Sequence, residues 1–342
     1  MVTALGCWDA TDVTAGQVEG ALSSLRRHEP RAAVRASVLT LVVVVADRHE
    51  ADAALEVVHA LGTRHPSRTI VLVVGRHSVR GPDEVPGTGV EGASGRDAVV
   101  TVHAVEADGR TVFFEDVILT IRGQGRHHLD SVVEPFTLPD VRMVVWLPSR
   151  LPSPGDPLLS AANMVVVDSR AVPTDEGDIL ARSALLSRRL PVADLSWIRL
   201  ASWRHLLSGL FEGAVARPFL SGVEHVWVAG KSGPRHLIGG WLLRRLGLDP
   251  SQVRLEPSEH VSIGVEATAD GRHGSFLVRR IGEERVLNAI VEIEDGPSLD
   301  QVVTMRRQWP ELALAGALTQ LGHDEGYEQA VAGARELRAA AG

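Results

Sequence analysis

Residues Leu39 to Ala46 read L-T-L-V-V-V-V-A, an apolar, mostly β-branched run without polar alternation. A strand with two apolar faces must be covered on both sides. That is the situation of strands in parallel sheets flanked by helices. Ala51 to Gly62 follows with helical spacing, placing Ala54, Leu55, Val58 and Leu61 on one face. Arg68 to Gly75, R-T-I-V-L-V-V-G, is a second run of the first kind. Strand, helix and strand make a right-handed βαβ unit, so the first half of the chain is expected to be an α/β layer structure.

Around that unit the pattern is consistent. Ala15 to His28 is helical, with Val18, Leu22 and Leu25 inward and Thr14 as N-cap. Arg76 to Arg96 is rich in glycine and charge and reads as an exposed, mobile loop. Ala98 to Glu106 and Thr111 to Arg122 flank an Asp108-Gly109 turn, a hairpin signal. Arg126 to Phe136 is expected to be a short helix, Arg142 to Leu147 a third buried strand, Asn163 to Asp168 another strand, and Asp175 to Leu190 a helix.

Asp194 to Phe211 has the most regular helical spacing in the chain. Its apolar surface is wide, with Leu195, Ile198, Leu206, Leu210, Trp197 and Trp203. So broad a stripe suggests burial between two bodies, and a domain boundary is placed here, giving residues 1–192 and 193–342. The second part begins as βα, Val223 to Ala229 and then Pro234 to Leu246. The period then changes to two over 253–256, 261–268, 275–281 and 286–294. This predicts an antiparallel meander with one solvated face. Leu299 to Trp309 and Asp324 to Leu337 are expected to close the chain as helices. The expected fold class is therefore α/β: a mostly parallel βαβ-type sheet domain followed by an α+β domain.

Composition narrows the function classes. The 342 residues carry a net charge of −8, which disfavours a nucleic-acid grip, since that needs a basic surface. The single cysteine, Cys7, permits no intrachain disulfide and fits a reducing compartment. It falls in an N-terminal stretch read as flexible, with no basic neighbour to activate it. The most apolar stretch is far shorter than the roughly 20 residues of a membrane helix. Met1 to Asp12 shows no basic start of a signal peptide. A cytoplasmic protein without membrane contact is expected. There are seven Trp against one Tyr, so the tryptophans are weighed as contact residues, although core packing accounts for most buried Trp.

Partial catalytic motifs fail for stated reasons. Gly230-Lys231-Ser232 lies between a strand and a helix, as a phosphate loop would. The glycine such a loop needs five residues earlier is His225. A looser anion site at Lys231 and Ser232 stays open, against a plain turn with Ser232 as helix cap. His127 and His128 are adjacent on an expected helix and do not face one metal together. Asp47 follows a strand end, where it caps the next helix or faces a ligand. No catalytic, cofactor-binding or metal-binding residues are assigned, and no cofactor is expected.

Four stretches carry a likeness. They are Arg35 to Val74, with R-A-S-V-L-T-L-V-V-V-V and R-H-P-S-R-T-I-V-L-V-V; His127 to Pro148, H-H-L-D-S-V-V-E-P-F-T-L-P-D-V-R-M-V-V-W-L-P; Asp194 to Leu207, D-L-S-W-I-R-L-A-S-W-R-H-L-L; and V-A-G-K-S-G-P-R-H-L-I-G-G-W-L from Val228, followed by the meander to D-E-G-Y-E-Q-A. In this order the chain resembles the glucose-6-phosphate dehydrogenase assembly protein family (OpcA). The resemblance implies a role rather than a reaction: a non-catalytic factor whose partner is glucose-6-phosphate dehydrogenase. It carries over no catalytic residues. Redox control, associated with cyanobacterial members, has only Cys7 to act through here. The contact residues expected from this reading are Pro139, Asp140, Trp146, Trp197, Trp203 and Arg204. The rival reading is a sugar-phosphate binder or enzyme with its anion site near Lys231.

Overall fold

The computed structural model describes residues 2–27, 37–61, 64–75, 95–107, 110–150, 156–171, 190–282, 286–305 and 309–341. The expected loop at 76–94, the Asp108-Gly109 turn and the helix expected over 175–190 lie outside these, except for Leu190. The contacts group into two units, Met1–Val167 with Pro310–Leu321, and Asp168–Trp309 with Gly322–Gly342. The sequence placed the boundary near residue 193.

In the first unit the strands are β1 (Val2–Ala10), β2 (Leu39–Val45), β3 (Ser67–Val73), β4 (Gly95–Ala107), β5 (Arg110–Arg122), β6 (Arg142–Leu147) and β7 (Met164–Val167). They lie in the order β1-β4-β5-β3-β2-β6-β7. From β5 through β7 the neighbours are parallel, and β1, β4 and β5 are antiparallel. Helix α1 spans Ala15–Arg27 and α2 spans Arg48–Leu61. Every residue of β2 and β3 is buried, as the unbroken apolar runs required. Thr14 and Gln17 cap α1 reciprocally, each side chain accepting from the other's backbone N–H. Asp47 accepts from Glu50 N at 2.9 Å and so acts as the cap of α2.

Three expectations need correction here. The N-terminal stretch is not a flexible arm: β1 pairs with β4 from Val2↔Val105 to Ala10↔Ala98. Its signal is weak because Gly6 interrupts the side-chain pattern. A Cβ there would come 2.9 Å from the Leu25 side chain. Gly95 and Arg96 belong to β4 rather than to the preceding loop. The helix expected over 126–136 is three short pieces: a 3₁₀ turn Gly123–His127, α3 (Leu129–Val133) and a 3₁₀ turn Glu134–Phe136. Pro135, with no N–H to donate, falls in the last of them. A further helix, α4 (Pro157–Ala161), is capped by Asp156.

Helix α8 (Pro310–Thr319) returns to this unit and packs against α2. Arg142 anchors the segment by donating to Leu321 O at 3.0 Å. The helix expected over 299–309 is instead strand Ser298–Thr304 in the second unit, and the helix begins only at Pro310. Proline is tolerated at a first helical position because its missing N–H would be unpaired there anyway.

The second unit holds β8 (Val192–Asp194), α5 (Leu195–Arg199), α6 (Ala201–Gly209), β9 (Val223–Gly230), α7 (Ser232–Leu246), β10 (Val253–Pro257), β11 (Ser262–Ala269), β12 (Arg272–Arg280), β13 (Val286–Ile293), β14 (Ser298–Thr304) and α9 (Glu325–Ala340). The order β10-β9-β11-β12-β13-β14 has β10 parallel to β9 and every other pair antiparallel. Three of the four segments expected in the meander form it as β11, β12 and β13; the 253–256 segment is instead β10, parallel to β9, and β14 joins at the sheet edge where a helix was expected.

The single long helix expected from Asp194 is two helices that break at Leu200, whose N–H is shared between Ser196 O and Trp197 O. Trp197 and Trp203 would sit ~120° apart on one continuous helix. With the break, both are buried. Helices α7 and α9 cross at Gly240 and Gly333, where either glycine's missing Cβ would overlap the opposite backbone. Among the described residues no helix is long and apolar enough to cross a membrane.

Candidate functional site

Strand β5 carries F-F-E-D-V-I-L, two carboxylates in the middle of an apolar strand. Successive strand residues face opposite sides of a sheet, so Glu115 and Asp116 enter different environments. Glu115 accepts from Arg68 Nε at 2.9 Å and from Arg26 through Nε and, at 2.7 Å, Nη2. Arg68, almost fully buried, also donates to Phe136 O at 2.9 Å and to Glu19 at 3.3 Å. Burial pushes the Glu115 carboxyl up. The hydrogen bonds and charges of Arg26 and Arg68 outweigh it and hold the group below the usual range. This is an ion pair that joins α1, β3 and β5 inside the unit.

Asp116 meets two imidazoles. Its Oδ2 lies 2.6 Å from His59 Nε2, on α2, and 2.8 Å from His103 Nε2, on β4. Phe114, the cross-strand partner of His103, stacks on that ring at 5.1 Å. The three ligand-type atoms lie within 4.8 Å of one another. Burial raises the Asp116 carboxyl, and the two imidazole contacts reverse this and leave it lowered. The Asp116 Oδ1 and His103 Nδ1 atoms are sealed from solvent and have no hydrogen-bond partner among the described residues. The His59 side chain keeps 26% of its surface exposed. The sequence reading missed this cluster because each histidine stands alone in its own segment. The acidic pair inside an apolar strand was the one local signal.

In the second unit the D-L-S-W segment builds a different buried cluster. Asp194 caps α5 by accepting from Ser196 N at 2.8 Å, and it also accepts from Ser169 N at 3.2 Å. Asp168 is gripped by Arg199 at 3.0 and 2.7 Å and accepts from Ser196 Oγ at 2.9 Å. Asp194 has no exposed surface. Burial, and then the nearby Asp168 charge, push it up to about 6.

The expected contact tryptophans are corrected by their burial. Trp146, Trp197 and Trp203 are each at most 4% exposed and fill the interior. Trp197 Nε1 donates to Asp324 at 3.0 Å. Arg204 lies 3.4 Å over the Trp197 ring and donates to the Trp197 carbonyl at 2.7 Å. Burial lowers the Arg204 pKa to about 10. Pro139 and Asp140 are exposed, with Asp140 at φ +63 in the turn before β6.

At the anion-site candidate, Lys231 pairs with Glu259 at 3.1 Å. The N-cap position of α7 is Lys231 itself, without a side-chain cap bond, so Ser232 is the first helical residue rather than the cap. Gly233 abuts Ser169, whose O and Oγ lie 2.5 Å from where a Cβ would stand. His127 and His128 are both exposed. Cys7 is exposed on β1, and Thr101 Oγ1 donates to its sulfur at 3.6 Å.

Fold and sites together define a two-unit α/β protein with a buried charged cluster in each unit. Residues 58–184 match the family model described as the glucose-6-phosphate dehydrogenase subunit N-terminal domain, and residues 190–331 match its C-terminal domain counterpart. The chain belongs to this family, OpcA. Three cyanobacterial relatives are named, provisionally, OxPP cycle protein OpcA. The Nostoc punctiforme protein is 31% identical over 30% of this chain and 23% of its own length. The Synechocystis protein is 26% identical over 41% and 31%, and that of Synechococcus elongatus 26% over 42% and 34%. The matched stretches thus span about a quarter to a third of these relatives. Among solved structures, glucose-6-phosphate 1-dehydrogenase of Mycobacterium avium aligns over 90% of this chain and 92% of its own, at 12% identity and TM-score 0.46. The Bacillus subtilis protein yvaA aligns over 89% and 96%, at 10% identity and TM-score 0.41. Neither likeness is strong enough to bear on fold or function.

Proposed function

We propose that this protein is a non-catalytic factor that binds glucose-6-phosphate dehydrogenase and favours its active state. One observation carries the reading: two family models, both described as domains of a glucose-6-phosphate dehydrogenase subunit, match in order from residue 58 to 331. The relatives' assignment to the OxPP cycle agrees with it. The role then lies in the cytoplasm, at the NADPH-producing entry of the oxidative pentose phosphate pathway. Such a factor needs no reaction of its own. It has only to bind the active conformation or oligomer better than the inactive one. A coupling of ~1–3 kcal/mol changes substrate affinity ~5–150-fold.

The test is to assay the dehydrogenase from the same cell with and without this protein, and to follow the enzyme's oligomeric state by sedimentation. A complex with raised activity or a lowered KM is expected. A dehydrogenase unchanged in activity, KM and size, with no complex formed, refutes the reading.

A further inference from the structure

We infer that His59, His103 and Asp116 form a binding site for one divalent transition-metal ion, with Zn²⁺ as the reference case. The inference does not rest on the proposed role with the dehydrogenase and stands or falls independently of it.

The donor chemistry comes first. Two imidazole nitrogens and one carboxylate oxygen are the ligand types that borderline divalent ions take. Three protein ligands with one open position are the pattern of accessible zinc sites. The donors arrive from α2, β4 and β5 and converge through long-range packing. His103 and Asp116 share one face of the β4–β5 ladder, since His103 pairs with Phe114 and Thr101 with Asp116.

The distances fit a small movement. At metal–ligand distances of ~2.0–2.1 Å, tetrahedral donors stand ~3.3 Å apart. The two Nε2 to Oδ2 separations of 2.6 and 2.8 Å therefore need to widen by about 0.7 and 0.5 Å to reach that spacing. Side-chain rotation supplies that without moving the strands.

A second, independent observation concerns the carboxylate itself. Both imidazoles address Oδ2, leaving Oδ1 of Asp116 buried without a partner among the described residues. Buried polar atoms nearly always have partners. A cation held at Oδ2 offsets the negative charge that this buried carboxylate shares with Oδ1. A plain Asp–His hydrogen-bonded cluster leaves Oδ1 bare. His59 is the most exposed of the three and gives the ion an entrance and a water its coordination position.

The test uses the full chain, stripped of metal with a chelator and titrated with Zn²⁺ by calorimetry, with Co²⁺ as a spectroscopic substitute. One equivalent per chain is expected, with Co²⁺ ligand-field bands of a four-coordinate site. His59→Gln and Asp116→Asn are expected to weaken binding by about 100-fold or more, since even outer-shell losses cost 10–100-fold. His49→Gln, at an exposed histidine of the same helix, leaves it unchanged. Circular dichroism checks folding, and His59→Gln alone decides the matter if Asp116→Asn fails to fold. No saturable one-to-one binding, or equal affinity in wild type and His59→Gln, overturns the inference.

Discussion

Glu115 and Asp116 are neighbours on one buried strand and serve opposite faces of the sheet, the first held by Arg26 and Arg68 and the second by His59 and His103. One dipeptide thus connects both helical layers to the sheet. Removing either carboxylate leaves buried partners without their counter-group, and this asymmetry governs the first prediction.

Glu115→Gln removes the buried counter-charge of the Arg68 guanidinium, whose side chain is 3% exposed, and leaves it the more exposed Glu19 at 3.3 Å. Breaking a buried pair by removing one partner costs ~3–5 kcal/mol when the remaining charge is uncompensated. Urea unfolding is expected to show a loss toward the lower end of that range, because Glu19 still faces Arg68. Arg26→Gln, at the more exposed partner, is expected to cost less. Equal and small losses would mean that the cluster contributes little.

The raised pKa of Asp194 makes the second unit's stability depend on pH. The folded value of about 6 lies above the ordinary 3.8, so the folded state holds the proton more tightly than the unfolded chain. The resulting stabilisation is complete below about pH 4 and is lost as the pH rises through about 6. The full difference is on the order of 3 kcal/mol. Asp194→Asn keeps the acceptor for Ser196 N and removes the titration. Denaturation between pH 4 and 7 is expected to show a slope in the wild type that the variant lacks.

The crossing of α7 and α9 has no room for a methyl group. Gly240→Ala places its Cβ against the backbone of Ala330 and Ala334, and overpacking of this kind costs ~1–3 kcal/mol or more. Gly209→Ala, with nothing within 4 Å of the new atom, is expected to be neutral or to stabilise by up to about 1 kcal/mol. Thermal melts of the two variants should move apart.

On the proposed role, the β14 edge is the surface to test for a dehydrogenase contact. Val302 is 62% and Leu299 42% exposed there, and β14 is the outermost strand of its sheet. Edge strands offer unpaired backbone groups to another chain. Val302→Glu is expected to weaken the complex about tenfold or more, corresponding to ~1.4 kcal/mol, without changing the circular dichroism spectrum. Binding measured by surface plasmon resonance checks this.

Lys231→Ala separates the assembly role from a sugar-phosphate site. Lys231 already has an anionic neighbour in Glu259. Activation of the dehydrogenase is expected to survive the substitution. Calorimetric binding of glucose 6-phosphate that disappears in this variant would favour the rival reading.

How much was legible in the sequence follows from the range of each interaction. The runs at 39–46 and 68–75 dictated a sheet buried on both faces, because no other placement removes so much apolar surface from water. The 286–294 alternation likewise specified a strand, and the Asx caps at Asp47 and Asp194 lie within three residues of the groups they satisfy. These are local patterns. By contrast, nothing near Gly6 announced that β1 would pair with residues almost a hundred positions away, and nothing near Leu200 that a regular helix would break to bury Trp197 and Trp203 together. Val302 and Trp309 satisfied a helical period as well as a strand did. Packing resolved that ambiguity, placing Ser298–Thr304 on the sheet edge and starting the helix at Pro310.

The sequence by itself determined the α/β class, the buried strands and the family. Only the tertiary structure decided which charges meet. His59, His103 and Asp116 come together across up to 57 residues of chain, and their convergence is set by the register of β4 on β5 and the seating of α2, neither of which is a property of any short segment.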